Sequence, residues 1–158
     1  MNRITIAPIV EGHGDRQAIR ILLQRVWTEV LGGEYAEILQ PIRHPRTKLV
    51  QEDGLTRAVQ LAALKLQHHG TQVDRLILIL IDSNHECPAQ QGPRLEQQAA
   101  DVRSDVDVVC VIAKMEYETW FVAAADSLVD FLHIDPPSEI PGDPEGARCG
   151  KRWIGIVK

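Results

Sequence analysis

The stretch DRLILILID, residues 74–82, constrains the fold more than any other part of the sequence. Six consecutive apolar side chains, 76–81, lie between charged residues. An uninterrupted apolar run predicts a strand covered on both faces, as in a parallel sheet. The runs RITIAPIV, 3–10, and DVDVVCVIA, 105–113, have the same character. Pro8 cannot donate to a strand ladder and predicts a local irregularity in the first of them.

Helical patterns separate these strands. Residues 15–31 repeat apolar side chains at helical spacing and stop at Gly32 and Gly33. That apolar face consists of Ile19, Leu22, Leu23, Val26, Trp27 and Val30. A short strand is predicted at 36–42, a polar loop at RHPRTKLVQEDG and a helix at about 53–69.

The second half of the chain continues the alternation. We predict a loop at 83–92, a helix at 93–104 with Pro93 in its first position, and a two-piece helix after 115. The order β-α-β-α-β-α-β-α predicts an open, mainly parallel four-stranded sheet with helices on both faces, as in Rossmann-like folds. Residues 1–134 would form this α/β domain. The Pro- and Gly-rich tail, 135–158, would be irregular, and its strand-like end KRWIGIVK would be either a genuine end or the start of a truncated extension.

Charge and composition limit the classes of function. The net charge of -5 argues against a broad basic face for nucleic acid, although a bound metal could supply positive charge. No apolar run approaches the roughly 20 residues of a membrane span, and the N-terminus lacks a signal-peptide pattern. The three cysteines lack metal-site spacing, and Cys110 is predicted to be a small buried residue. We expect a cytoplasmic protein without a membrane partner.

Acidic and amide side chains follow three of the four predicted strands. Ligands of open parallel sheets bind where the strands end, and carboxylates gathered there repel one another unless a cation separates them. Hard oxygen ligands favour Mg²⁺ or Mn²⁺. The candidate metal ligands are Glu11, Asp82, Asn84, Glu86, Glu116 and Glu118.

Each of these acids has a simpler interpretation. Glu11, Glu116 and Glu118 could favour the positive ends of helices, and Asp82 could cap a turn. Trp120 and Phe121 are predicted to be core residues rather than a stacking platform. The spacing of His13, His85 and Cys87 matches no zinc pattern.

Two segments are candidates for phosphate or nucleic-acid binding. Gly12, Gly14 and Asp15 form a glycine-containing turn before the first helix, which alone is a weak phosphate signal. The second segment is the basic loop of Arg43, Arg46 and Lys48, which could equally be a solvated loop. Lys114, or an arginine of this loop, could stabilise phosphate charge.

Three motifs together resemble a known family. The Glu-Gly-x-x-Asp of VEGHGD and the Asp-x-Asn of LILIDSNHECP resemble the TOPRIM fold of topoisomerases, primases and overcoming-lysogenization-defect nucleases. With KMEYETWFVAA they are similar to the domain-of-unknown-function family DUF4276, itself similar to TOPRIM domains. The motifs span residues 10–124.

The resemblance implies Mg²⁺-dependent phosphoryl transfer on nucleic acid. Glu11 would be a metal ligand or general acid-base, and Asp82 the first acid of the Asp-x-Asp pair. Asn84 departs from the pattern, because an amide ligates a metal without bringing charge; Glu86, Glu116 or Glu118 would complete the site. The resemblance also implies a partner ATPase of the ABC or SMC-like class.

Two other functions stay open. The Asn84 departure and the acidic pI of 5.6 favour a regulatory or partner-binding module with a weakened metal site. A phosphatase or nucleotide-binding domain would hold phosphate directly at the first helix N-terminus, where Glu11 would repel it unless a metal intervened.

Overall fold

The computed structural model describes residues 3–69, 73–132, 142–145 and 150 of the chain, with the side chains of 130–132 excepted. KRWIGIVK, the predicted strand-like end, lies outside the described residues. The chain divides into two compact units. The first comprises Met1–Ile81 and Ala89–Val111, and the second comprises Asp82–Pro88 and Ile112–Lys158. The boundary predicted at residue 134 stays a prediction.

The elements follow the predicted alternation of strands and helices. In chain order the strands are β1 Arg3–Val10, β2 Tyr35–Ile38, β3 Ile42–Arg43, β4 Asp74–Asp82 and β5 Asp107–Ala113. The helices are α1 His13–Arg25, α2 Arg46–Leu49, α3 Glu52–Gln67, α4 Pro88–Val102, α5 Thr119–Ala123 and α6 Ala125–Leu132, with a π-helical segment at Val26–Val30.

The strands form an open parallel sheet flanked by helices, which confirms the predicted fold class. The strand order is β2-β1-β4-β5, and β3 also pairs with β1. β1 pairs in parallel with β4 from Ile4 opposite Asp74 to Val10 opposite Leu80. Leu76–Ile81 and Ile6–Val10 therefore lie side by side, and most of these side chains are buried.

The sheet is interrupted beside β1, whereas β1 itself, where Pro8 predicted an irregularity, is one continuous strand that pairs with β4 through Pro8. β2 pairs with β1 as far as Ile6, and β3 resumes the pairing at Ile9. Pro8 lacks the N–H that a continuous ladder needs, and the neighbouring strand is broken beside it. The single strand predicted at 36–42 is therefore two short pieces.

Helix α1 begins two residues earlier than predicted, and its apolar face is mostly not buried. Ile19 is buried, whereas Val26 and Val30 are exposed. Val26 and Val30 are the first and last residues of the π-helical segment, whose i to i+5 winding departs from the 3.6-residue period on which the predicted face rests. Gly32 then ends the helix in the left-handed region at φ 66°.

Helix α3 matches its prediction closely. All five predicted apolar positions are buried. They are Leu55, Ala58, Val59, Ala62 and Leu66. The preceding basic segment, expected to be a loop, contains the short helix α2. Gly54 permits its close packing, because a Cβ there would lie 1.9 Å from the carbonyl oxygen of Lys48.

Two later boundaries also differ from the predictions. α4 begins at Pro88, so Pro93 lies inside the helix and Pro88 takes the first position. The last helix is in two pieces, as predicted, but begins at Thr119. No described helix is long and apolar enough to cross a membrane.

Candidate functional site

The predicted metal ligands other than Glu11 lie on two loops of the second unit. The first loop, 82–86, begins at the last residue of β4 and carries Asp82, Asn84 and Glu86. The second, 114–118, follows β5 and carries Glu116 and Glu118. We call 82–86 and 114–118 together the acidic loop pair.

Hydrogen bonds hold the acidic loop pair together. The Asn84 N–H donates to the Met115 carbonyl oxygen at 3.1 Å. The Met115 N–H donates to Ser83 Oγ at 2.9 Å, and the Tyr117 N–H donates to Asp82 Oδ1 at 2.8 Å. Ser83 is 1% exposed, so its hydroxyl is a fixed acceptor. These three hydrogen bonds join the two acid-bearing segments into one frame.

The frame contains two residues in the left-handed backbone region. Asn84 has φ 51° and Met115 has φ 62°. Asparagine tolerates this conformation, whereas for methionine it is strained. Such strain persists where surrounding contacts enforce it, and it is common at functional sites. Asparagine and aspartate both adopt this conformation with little strain, so the backbone at position 84 does not select between them.

Lys114, a candidate catalytic group, forms an ion pair within the second unit. Its Nζ contacts Glu145 Oε2, and both side chains are exposed. The hydrogen bond to Glu145 raises the pKa of Lys114 above its usual value. Its charge is therefore shared with a carboxylate, and an exposed pair of this kind exchanges partners at little cost.

The two aromatic residues of α5, Trp120 and Phe121, are more exposed than predicted. The Tyr117 ring lies 5.1 Å from that of Trp120 and 5.6 Å from that of Phe121. Tyr117 is buried, but Trp120 and Phe121 keep 39% and 37% of their surface exposed. The prediction that both are core residues is therefore wrong, since α5 presents part of each ring to solvent.

The remaining candidate residues lie in the first unit, around the end of β1. Glu11 follows Val10 and is partly exposed. The Gly12 N–H donates to Asp15 Oδ2 at 2.8 Å, so the Asp15 carboxylate closes the first turn of α1. Gly14 has open space around it, so contacts do not require glycine there.

The basic segment is fixed beside this turn. Arg43 pairs with Val10 in the strand register, and the His44 N–H donates to the Val10 carbonyl oxygen at 2.9 Å. Arg46 and Lys48 follow on α2. The first unit thus brings the Glu11–Asp15 turn and Arg43 to the same strand end.

The described residues contain no preformed group of three or more histidine, cysteine, aspartate or glutamate side chains that could hold a metal. This finding does not conflict with Mg²⁺ as the ion. In phosphoryl-transfer sites Mg²⁺ takes one or two carboxylates and completes its shell with water and substrate phosphate. The carboxylate and amide donors of the acidic loop pair suit such a site.

Sequence reasoning missed the contributions of Ser83 and Tyr117. Ser83 accepts the Met115 N–H, and the Tyr117 N–H fixes the Asp82 carboxylate. The role of Ser83 could have been suggested by its position, because it is a small hydroxyl residue directly after the candidate acid Asp82. The hydrogen bond from the Tyr117 N–H to Asp82 could not be predicted, because nearly every residue type has a backbone N–H.

A comparison with protein families agrees with these motifs. Residues 10–148 match the model of the family described as Domain of unknown function (DUF4276). No curated protein and no solved structure matches the chain. Since the match covers most of the 158 residues, the chain belongs to the DUF4276 family.

Proposed function

We propose that this protein is a Mg²⁺-dependent phosphodiester-cleaving enzyme of the TOPRIM type, acting on nucleic acid. The observation that carries the proposal is the hydrogen-bonded frame of the acidic loop pair. Hydrogen bonds across this pair fix Asp82 and the segment of Glu116 after neighbouring strands of a parallel sheet. Strand ends of this kind are where open α/β sheets bind their ligands.

Asp82 and Glu116 would hold the ion, with Asn84, Glu86 and Glu118 as further oxygen donors. A bound Mg²⁺ would polarise the phosphoryl oxygen and lower the pKa of an attacking water. The Tyr117 N–H orients the Asp82 carboxylate in advance of binding, which reduces the cost of reorganisation. Lys114 could exchange Glu145 for a substrate phosphate. The role of Glu11 is a separate prediction about the first unit.

A nuclease assay tests this function. Cleavage of single- and double-stranded DNA and RNA is measured with Mg²⁺ or Mn²⁺ for the wild type, Asp82→Asn and Glu116→Gln. Asp82→Asn keeps an oxygen for the Tyr117 N–H while removing the charge. We expect both variants to lose at least about tenfold in cleavage rate, because losing a metal ligand costs no less than losing a residue that supports one, which itself costs about tenfold to a hundredfold.

Glu52→Gln, an exposed first-turn acid of α3, is the matched control and should cleave at the wild-type rate. If Asp82→Asn cleaves as fast as the wild type, or if the folded wild type cleaves none of the substrates with either metal, the proposal is wrong.

A second candidate function is a partner-binding module that works with an ATPase. Large apolar side chains are exposed where α1 gives way to β2 in the first unit, including Val30 at 74%, Leu31 at 65% and Tyr35 at 56%. Exposed apolar groups gathered in one region favour a protein interface. In this case Val30→Asp and Leu31→Asp would weaken binding of the ATPase, and Asp82→Asn would leave it unchanged.

A further inference from the structure

A groove in the first unit has a basic lining that the proposed metal site does not use. It has a volume of about 480 Å³ and lies along the exposed face of α1. Its lining residues are His13, Arg16, Gln17, Arg20 and Gln40, none of which is acidic. We call these five residues the basic groove. This local charge differs in sign from the net charge of the whole chain, which is -5.

The two arginines of the basic groove are not neutralised. Within the described part of the chain, neither Arg16 nor Arg20 forms an ion pair with a carboxylate. Arg25, further along the same helix, binds Glu29 at 3.0 Å and is neutralised. A guanidinium is always protonated at physiological pH, so the basic groove carries at least two positive charges.

A neutral side chain positions one of these charges. With its amide oxygen turned toward the helix, Gln40 accepts hydrogen bonds from Nη2 and Nε of Arg16 at 2.6 and 3.2 Å. The interaction fixes the guanidinium without cancelling its charge. The geometry therefore suits a site that holds an arginine ready for an anion.

The basic groove continues into a second cavity of about 800 Å³, which shares Gln17, Arg20 and Gln40 with it. This cavity runs between α1 and the edge strand β2, and its lining includes Tyr35, Arg25 and one carboxylate, that of Glu37. Together the two cavities are far larger than one phosphate requires. The exposed Tyr35 ring offers a surface on which a base could stack.

We propose that the basic groove binds the phosphate backbone of single-stranded nucleic acid. Arg16 and Arg20 are four residues apart on one helix face, about 6 Å along the axis. Neighbouring phosphates of an extended strand have a comparable spacing, and guanidinium groups bind phosphate oxygens in pairs. The choice of nucleic acid rests on the proposed function, because it names the substrate that the metal-dependent site would cleave.

The test is fluorescence anisotropy of the full chain with a labelled single-stranded 20-mer oligonucleotide, in EDTA so that metal ligation cannot contribute. The variant Arg16→Gln with Arg20→Gln should bind about tenfold more weakly. Its slope of log affinity against log salt should become shallower by about 1.4, because two phosphate contacts are lost. The matched control, Arg57→Gln with Arg94→Gln, changes the same charge at two exposed arginines outside the groove and should bind as the wild type does.

Three results would overturn the proposal. In the first, the folded wild type does not bind the oligonucleotide. In the second, the two double variants lose affinity equally, so that overall charge explains binding. In the third, inorganic phosphate or a mononucleotide competes as well as the unlabelled oligonucleotide at equal phosphate concentration, which makes the occupant a small anion. Metal binding, measured separately without nucleic acid, tests the proposed metal-dependent function alone. A failure of the groove proposal can therefore be distinguished from a failure of the proposed function.

Discussion

Individual residues carry the strain and the charge of the candidate site. Met115 adopts a left-handed backbone conformation because its N–H and carbonyl oxygen are both bonded within the loop 82–86. Asn84 adopts the same conformation with less strain.

The strain at Met115 predicts an unusual order of stability. Met115→Gly should be more stable than Met115→Ala by about 1 kcal/mol, because glycine adopts positive φ without a Cβ penalty. Urea unfolding measures the difference. At Gln60, in the interior of α3, the order should reverse and alanine should be more stable by about 1 kcal/mol. An alanine that is equal or superior to glycine at position 115 would contradict the described backbone.

The cysteines should differ sharply in reactivity. Cys110 is half-buried rather than buried as predicted, and this burial raises the pKa of its thiol to about 12, with a smaller contribution from Glu96, whereas Cys87 is exposed. In a Cys149→Ser background, a thiol reagent at pH 8 should label Cys87 rapidly and Cys110 far more slowly until the protein unfolds, because the thiolate is the reactive form. Cys87→Ser in the same background is the control. Fast labelling of that variant in the folded state would show that Cys110 is accessible.

Among the elements, the short helix α2 depends on a glycine of its neighbour. Gly54→Ala should destabilise the protein by about 2 kcal/mol, because the added Cβ would meet the Lys48 carbonyl oxygen. Gly14→Ala is the matched control, since nothing lies within 4 Å of the position that its Cβ would take. That change should be neutral or stabilising by up to about 1 kcal/mol. Equal thermal unfolding temperatures for the two variants would contradict the close packing of α2 on α3.

The elements also show what can be predicted from sequence. The bounds of β1 and β4 were predicted to the residue, because an apolar run ending in a charged side chain marks both strand ends. The π-helical segment could not be predicted, since its apolar spacing fits an ordinary helix as well. The beginning of α4 at Pro88 was missed because Pro88 and Pro93 both suit a first helical position.

At the scale of the whole molecule, the parallel sheet explains why dispersed acids could be recognised as a group. Strand ends of a parallel sheet lie at one edge, so Asp82 and Glu116 could be assigned to neighbouring loops from sequence alone. The hydrogen bonds between these loops could not be predicted from the sequence, because their backbone donors are present in every residue type except proline. The basic groove could not be predicted either, since its residues come from α1 and from Gln40 after β2.

The most direct test of the central claim is calorimetric titration of the folded protein with Mn²⁺, comparing the wild type with Asp82→Asn and with Glu52→Gln. We expect binding at micromolar to millimolar strength in the wild type and in Glu52→Gln, and its loss in Asp82→Asn. Absence of binding in the folded wild type, or binding that survives in Asp82→Asn, would contradict a metal site built on the acidic loop pair.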